Sequence, residues 1–361
     1  MRLTVDYGQH PATGQWHSPQ QRAWGLEPHQ KITPGLAGKL CFTATLTGSY
    51  AQAAAVAARW GVTVDDSVLH QQVQRAGERA DRQAQARAAT SPMPSAAPAA
   101  APPPGALVIM MDGWMVRHRG ADWGRPPADL AGERVVWQEC KSAVIYRVEA
   151  AAQTAGGRGL LVEKYVVAYQ GEPLEFGRRV QAEARRRGLG KVARGYVVAD
   201  GGVWIWNLVA DRFAEAVGVL DFYHASQHLW ALAHALHPED EPGARAWVEP
   251  LLHQLRHGGE EGVLQTLADL PAWCAERGQA VPPAVDKEIN YFEPHREHLH
   301  YQARAAEGCP VGSGAMESLC GQLQGRFKRG GQFWTEPGRR RLLALDVARR
   351  NHDWDEIWQR N

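Results

Sequence analysis

The feature that most constrains this fold is a run of alanine, proline and serine at residues 88–105. The run, AATSPMPSAAPAAAPPPG, contains no aromatic residue, valine, leucine or isoleucine. Such a segment cannot bury enough surface to fold, and its prolines favour extended conformations, so it is predicted to be a linker. The chain of 361 residues is therefore expected to divide into a small amino-terminal region, residues 1–87, and a larger region after the linker.

The amino-terminal region has the hydrophobic spacing and the capping residues of short helices. They are predicted from Pro34 to the break at Gly48, over residues 50–60, and from the capping-type pair Thr63 and Asp66 to Ala76. Short helices joined by a turn that contains glycine are typical of a helix-turn-helix, whose last helix would present Gln71 and Arg75 to DNA. A small helical bundle has the same pattern, and both interpretations stay open.

After the linker the pattern changes to that of an α/β sheet. The order is strand, strand, strand, helix, strand, helix, strand, which predicts a mixed sheet with a meander followed by right-handed crossovers. The strands are predicted at residues 106–117, 135–141, 143–149, 192–199 and 216–220, and the helices at 172–187 and 203–213.

The rest of the chain is predicted to be helical. Residues 236–307 are acidic, with a net charge of −7 between His237 and Glu307, and predict a helical insertion into the α/β region of residues 106–235. Residues 308–361 begin with a Gly-Ser-Gly sequence, where Ser313 can cap a helix that carries Glu317.

Three acids stand out by their positions. Asp112 interrupts an apolar strand, Asp200 ends another strand just before two glycines, and Glu317 lies in the first turn of a helix. A buried carboxylate needs a partner such as a cation, and the glycines would let a ligand approach the backbone. Three hard oxygen ligands suit Mg²⁺ or Mn²⁺, and two such ions can activate a nucleophile and stabilise a leaving oxygen. Any one of these acids could instead cap a turn, whereas Asp112 and Asp200 on adjacent strands favour a metal site.

The motifs around these acids resemble those of Asp-Asp-Glu insertion-sequence transposases, in particular the Kra-type bacterial group, which is related to Mutator-like transposases. They are MDGW at Asp112, VVADGGVWIW at Asp200, LDFYHASQHLW at Asp221 and VGSGAMESLCGQLQGRFKRGG at Glu317. The resemblance covers most of the chain and implies a ribonuclease H-like (RNase H-like) mixed sheet with a helical insertion between the second Asp and the Glu. It also implies that Asp112, Asp200 and Glu317 are the catalytic metal ligands.

Asp221 and His224 match the Asp-x-x-His feature of that family. Asp221 could be a fourth catalytic carboxylate, with His224 at the scissile phosphate. Alternatively, Asp221 could cap the helix that carries His224 through its backbone amides. The sequence leaves both roles open.

Basic residues near the carboxy terminus predict contact with DNA. Between Glu317 and Arg350 there are eight Lys or Arg against three acids, with three aromatic residues among them. Basic side chains neutralise phosphates, and aromatic rings stack on unpaired bases. The residues predicted to bind DNA in this segment are Arg326, Lys328, Arg329, Arg339 and Arg340.

The net charge of the whole chain is +1, which at first argues against a nucleic-acid partner. The acidic insertion has a net charge of −7, so the rest of the chain has a net charge of +8. The net charge of the whole chain therefore does not exclude binding to DNA. There is no long apolar run and no secretory signal, and the five cysteines have neither disulfide nor zinc spacing. We therefore expect a cytoplasmic protein without a membrane partner, and the resemblance to bacterial transposases implies a nucleoid-associated bacterial one.

The three acids and the basic segment, taken with the resemblance to Asp-Asp-Glu transposases, predict a DNA transposase. It would bind the inverted repeats of its element as double-stranded DNA. It would cleave phosphodiester bonds and transfer the 3′ end to target DNA with two Mg²⁺ or Mn²⁺ ions. Joining two ends implies a homodimer or a larger oligomer. Two alternatives stay open: an RNase H-like nuclease without strand transfer, and an inactive, amino-terminally shortened remnant that binds DNA.

Overall fold

The computed structural model describes residues 6–14, 16–24, 26, 31–90, 105–127, 132–156 and 159–359. The chain forms two compact units. One combines Met1–Ala84 with Arg326–Asn361, and the other is Gln85–Gly325. The division therefore falls inside the carboxy-terminal region that the sequence analysis treats as one segment.

The amino-terminal elements are short strands and helices. Thr33 and Ser49 accept backbone N–H groups from the helices that follow them, which fixes where those helices begin. The elements are β1 (Gly8–Gln9), β2 (Trp16–His17), α1 (Pro19–Ala23), α2 (Pro34–Leu46), α3 (Tyr50–Arg59) and α4 (Asp66–Ala89).

The three predicted amino-terminal helices are present as α2, α3 and α4, but α4 is longer than expected. It continues past Ala76 to Ala89 because the intervening residues are mostly Ala, Arg, Gln and Glu, which favour helices. The predicted linker therefore begins inside a helix, and its residues 91–104 lie outside the part of the chain that the structure describes.

The second unit is built on a five-stranded mixed sheet in the order β7-β4-β3-β8-β9. β3 pairs antiparallel with β4 and parallel with β8, and these pairings confirm the predicted mixed sheet. The strands are β3 (Ala106–Arg119), β4 (Val135–Arg147), β5 (Ala151–Gln153), β6 (Gly159–Leu161), β7 (Tyr165–Tyr169), β8 (Arg194–Ala199) and β9 (Val217–Leu220).

The third strand of the meander differs from the prediction. The segments predicted as two strands, residues 135–141 and 143–149, form the single strand β4 up to Arg147. The polar residue between them does not break the strand, because the Ser142 hydroxyl accepts a hydrogen bond from Trp114 Nε1 at 2.9 Å. The third strand is instead β7, a short apolar run that the sequence analysis did not predict.

Helices cover the sheet and follow it in the chain. α5 and α6 pack on the face that presents Leu107, Ile109 and Met111 of β3, where the apolar core lies. The segment 236–307 is helical, as predicted. The helices are α5 (Pro173–Arg186), α6 (Val203–Arg212), α7 (Phe222–Leu236), α8 (Glu241–His257), α9 (Glu261–Glu276), α10 (Pro283–Phe292), α11 (Tyr301–Ala306), α12 (Gly314–Phe327) and α13 (Glu336–Arg350). The 3-10 turns are Val148–Ala150, Glu293–His298 and Trp354–Trp358.

None of the helices in the described residues is both long and apolar enough to cross a membrane.

Candidate active site

The register of the sheet brings Asp112 and Asp200 together. On the parallel strands β3 and β8, Met111 lies opposite Ala199, and each of these residues immediately precedes one of the two acids. Asp112 and Asp200 therefore occupy adjacent positions where β8 ends. Their carboxylates interact electrostatically, since Asp200 contributes to raising the pKa of Asp112.

The Asp112 carboxylate is held at both oxygens by weak or local donors. Gly113 N–H donates to Oδ1 at 2.6 Å, and the Cys320 thiol of α12 donates to Oδ2 at 3.3 Å. Burial raises the pKa of Asp112, the Cys320 hydrogen bond lowers it, and the carboxylates of Asp200 and Glu139 raise it. Like charges therefore surround a partly buried carboxylate, an arrangement that a bound cation would relieve.

Glu139 is a carboxylate that the sequence analysis missed. It lies on β4 beside Gly113, where a methyl group would overlap its carboxylate, and it forms an ion pair with Lys141 at 2.7 Å. The antiparallel register places Glu139 opposite Met115, two positions along β4 from Lys141, which lies opposite Gly113. No sequence motif marks it, because a cross-strand neighbour is recognisable only once the register is known.

Glu317 lies on the face of α12 that is anchored to the sheet side of the unit. Ser313, Glu317 and Cys320 have the spacing i, i+4, i+7, which places them along one side of the helix. Ser313 contacts Asp221, and Cys320 contacts Asp112, so the two anchors flank Glu317. The Glu317 side chain is exposed and has no hydrogen bond or ion pair with any described residue.

Asp221 caps a helix in the structure, and its catalytic role stays a prediction. Its buried carboxylate accepts N–H groups of Tyr223 and His224 at 2.7 and 3.4 Å, which caps α7. The other oxygen accepts the backbone N–H of Ser313 at 3.0 Å and also its hydroxyl. Asp221 thus links the start of α12 to the start of α7, and the Ser313 hydroxyl is one of the donors in this link. His224 is half-buried, with its ring 5.1 Å from that of His228.

The donor set suits a divalent cation in part. Asp112 and Asp200 offer oxygen ligands, and the repulsion between them fits a positively charged ligand. Among the described residues, however, no three His, Cys, Asp or Glu side chains are grouped closely enough to form a complete metal site. The predicted third ligand, Glu317, is therefore not assembled with the other two.

The role expected for the glycines after Asp200 needs correction. The sequence analysis predicted that they leave room for a ligand. In the structure, the space beside Gly201 is filled by the ring of Tyr291 from α10, and a methyl group on Gly201 would lie 2.9 Å from the Tyr291 hydroxyl oxygen. The Gly202 N–H donates to Asp200 Oδ1 at 3.0 Å, which holds one orientation of that carboxylate.

The predicted DNA-binding residues of the first unit differ in burial and in their partners. Arg326 and Arg339 are buried, so they are not available to a phosphate in this structure. Arg326 donates to the Ala44 carbonyl, at 3.1 Å from Nη2, and this bond accounts for its burial as a structural residue. Arg340 forms ion pairs with Asp81 and Glu336. The exposed members of the predicted set are Lys328, Arg329, Gln71 and Arg75.

No protein-family model and no curated protein match this sequence. A structural similarity extends over 94% of this chain and 96% of a chain in a Drosophila P element transposase strand transfer complex. The two chains are 10% identical, with a TM-score of 0.42. A similarity of this size assigns neither a family nor a function to the chain.

Proposed function

We propose that this protein is a DNA transposase with an RNase H-like catalytic unit, acting as a metal-dependent phosphodiester transferase. The observation that carries the proposal is the pair of like-charged carboxylates, Asp112 and Asp200, on adjacent parallel strands, with Glu317 on a helix anchored to the same place. The resemblance of the surrounding motifs to Kra-type transposases supports the narrower assignment to transposition.

Asp112, Asp200 and Glu317 are the residues that would hold Mg²⁺ or Mn²⁺. Two such ions, when bound, would activate the attacking oxygen and stabilise the leaving oxygen of the phosphodiester. Gly113 and Cys320 fix the Asp112 carboxylate, and Gly202 fixes that of Asp200, so two ligands are oriented before a cation arrives.

The exposed and unpartnered state of Glu317 fits a ligand that joins the site when DNA and cations bind. Its helix is held at Ser313 to Asp221 and at Cys320 to Asp112, the acid that would share the cation. One carboxylate site would serve water for cleavage and a 3′ hydroxyl for joining, because both reactions are in-line displacements at phosphorus.

The first unit would recognise the ends of the element. Gln71 and Arg75 are exposed on α4, the third helix of a group with helix-turn-helix spacing, and Lys328 and Arg329 add exposed positive charge. Basic side chains of this kind contact phosphates, whereas Gln can read base edges. A homodimer or a larger oligomer on paired ends belongs to the same proposal.

The proposal is tested by incubating the full-length protein with labelled element ends, a target duplex and Mg²⁺ or Mn²⁺. Wild type is expected to give cleaved and joined products, and Asp112→Ala, Asp200→Ala and Glu317→Ala are expected to give neither. Asp211→Ala is a matched control, since Asp211 is an exposed acid on α6 that pairs only with the neighbouring Arg212 among the described residues.

The alternatives give different results in the same experiment. Cleavage without joined product in wild type would indicate an RNase H-like nuclease. DNA binding with no cleavage in any of the five proteins would indicate a non-catalytic remnant, and would overturn the enzymatic proposal.

A further inference from the structure

The turn that carries Asp200 is covered by the helical insertion. α10 and the 3-10 turn after it bring Tyr291, His295 and His298 against the segment that follows β8. All these residues belong to the second unit, Gln85–Gly325. The proposed function gives this contact no role, although it lies directly beside a predicted catalytic carboxylate.

Tyr291 explains why residue 201 is glycine. A methyl group there would lie 2.9 Å from both Cζ and the hydroxyl oxygen of the Tyr291 ring, closer than packed atoms approach. Gly201 is absent from the described glycines with positive φ, so its backbone does not require glycine. The missing side chain is therefore a steric fit to Tyr291.

The Tyr291 ring is itself fixed by a second contact. It stacks on His228 of α7 with ring centroids 3.5 Å apart and planes 14° apart. His228 Nδ1 lies 2.5 Å from a carboxylate oxygen of Glu288, which is buried on α10 one turn before Tyr291. The histidine is thus held by a buried partner, and the position of the Tyr291 ring is restrained by this stack.

Tyr291 contacts the turn by packing and not through a hydrogen bond of its hydroxyl. Its hydroxyl oxygen is buried and has no hydrogen-bond partner among the described residues. A buried hydroxyl without a partner stabilises nothing, so replacing the tyrosine by phenylalanine should keep the contact intact.

Histidines of the 3-10 turn hold the same segment at other points. His295 lies near the backbone of Gly201, which raises the pKa of the His295 ring against the larger lowering by burial. His298 stacks on Trp206 with centroids 4.0 Å apart, and Trp206 Nε1 donates to the Asp200 carbonyl oxygen at 2.9 Å. The turn is therefore fixed at two successive residues, 200 and 201.

We propose that the helical insertion is a clamp that positions Asp200, with Tyr291 as a positioning residue that acts through Gly201. This inference rests on the proposed function, because Asp200 needs a fixed position if it is a catalytic carboxylate. A displacement of about 1 Å in such a group lowers rates by about 10²-fold.

The test enlarges residue 201 and shortens residue 291, separately and together, in the full-length protein. Gly201→Ala, Tyr291→Ala, the double variant and Tyr291→Phe are compared with wild type. Single-turnover DNA cleavage is measured, together with hydrogen exchange of the peptide covering residues 199–207 without metal or DNA. Tyr291→Leu replaces Tyr291→Ala if the latter lowers the melting temperature too far to be assayed.

Gly201→Ala is expected to lower cleavage by about 10²-fold in wild type, and by no more than about threefold when Tyr291 is already alanine. Tyr291→Ala is expected to speed exchange of the peptide, the added methyl of the double variant to slow it again, and Tyr291→Phe to match wild type. Gly218→Ala is the matched control, because its methyl would meet His298 and Trp206 at 2.7 Å and not Tyr291. Truncation of Tyr291 should leave the defect of Gly218→Ala unchanged.

The clamp is overturned if Gly201→Ala is as harmful with Tyr291→Ala as without it, or if exchange of the peptide is the same in all variants. Failure of the proposed function has a different signature. Wild type would then not cleave DNA, whereas the hydrogen-exchange coupling between Gly201 and Tyr291 would still decide whether the clamp exists.

Discussion

Asp200 and Asp221 occupy equivalent places in the sheet but have opposite surroundings. Each follows the last residue of a parallel strand, β8 for Asp200 and β9 for Asp221. Asp221 is buried and accepts hydrogen bonds from Tyr223, His224 and Ser313. The Asp200 side chain is half-buried, and its one hydrogen bond from a described residue comes from Gly202. The carboxylate with spare acceptor capacity is the one available to a ligand, and the saturated one holds the structure together.

The different roles of Asp200 and Asp221 are tested most directly by neutralising each acid in turn. Asp200→Asn is expected to lower cleavage by about 10³-fold with little change in melting temperature, since few protein bonds are lost. Asp221→Asn should lower the free energy of unfolding by about 1–3 kcal/mol, because the amide cannot accept all the N–H and O–H donors that now surround the carboxylate. Single-turnover assays and thermal unfolding measure the two effects. The opposite pattern would make Asp221 the catalytic residue.

Glu317 extends the comparison to a carboxylate with no partner among the described residues. Glu317→Gln is expected to lower cleavage by about 10²-fold while leaving the free energy of unfolding within about 0.5 kcal/mol of wild type. The neighbouring exposed residue Ser318 provides the control, as Ser318→Ala removes a polar group from the same turn of α12. A large loss of stability in Glu317→Gln would show instead that the carboxylate supports the fold.

A contrast between exposed and buried side chains also separates the basic residues of the first unit. Lys328→Ala with Arg329→Ala should weaken DNA binding and reduce the slope of log affinity against log salt by about 2. Arg326→Gln should lower stability instead, because Arg326 is buried and bonded to the Ala44 carbonyl. Fluorescence anisotropy across a salt series, with urea unfolding of each variant, tests both. An unchanged slope in the double variant would remove Lys328 and Arg329 from the DNA surface.

The smallest effect concerns Asp112, whose pKa is raised by burial and by neighbouring carboxylates. A raised pKa means that the stability contributed by the protonated form is present below the ordinary Asp pKa and is lost as pH rises through the folded value. At neutral pH without metal, Asp112→Asn should therefore be more stable than wild type by about 1 kcal/mol. The difference should vanish below about pH 4, where wild type is protonated too. Thermal unfolding without divalent cations measures it, and an equal or lower stability of the variant at pH 7 would contradict the repulsion.

Much of the second unit was predictable because its strands are apolar runs and its helices have helical hydrophobic spacing between glycines or prolines. The mixed sheet, α5, α6 and the helical insertion all follow from such patterns. The error at β4 arose because Lys141 and Ser142 look like a break, whereas the cross-strand bond from Trp114 satisfies the serine hydroxyl. The strand β7 was missed because five residues carry too little pattern to separate a strand from a loop.

The candidate site also contains residues that the sequence predicts and residues that it does not. Asp112 and Asp200 were found because each interrupts or ends an apolar run. Glu139, Tyr291 and Cys320 carry no such signal, since they reach the site from a neighbouring strand, from the insertion and from a helix that follows it. The burial of Arg326 and Arg339 was equally invisible, because a basic run reads the same whether its members face solvent or the core.

The sequence by itself determined that the sheet is mixed, that a helical segment follows it, and which two acids lie where β3 and β8 pair, because these depend on local pattern and on the period of each element. Only the tertiary structure shows that Asp221 accepts hydrogen bonds from two elements, that Tyr291 packs against Gly201, and which basic residues are exposed. Those outcomes depend on contacts between residues far apart in the chain, such as Asp221 with Ser313. Local spacing does not encode such contacts, since each partner's role is set by what the fold places opposite it.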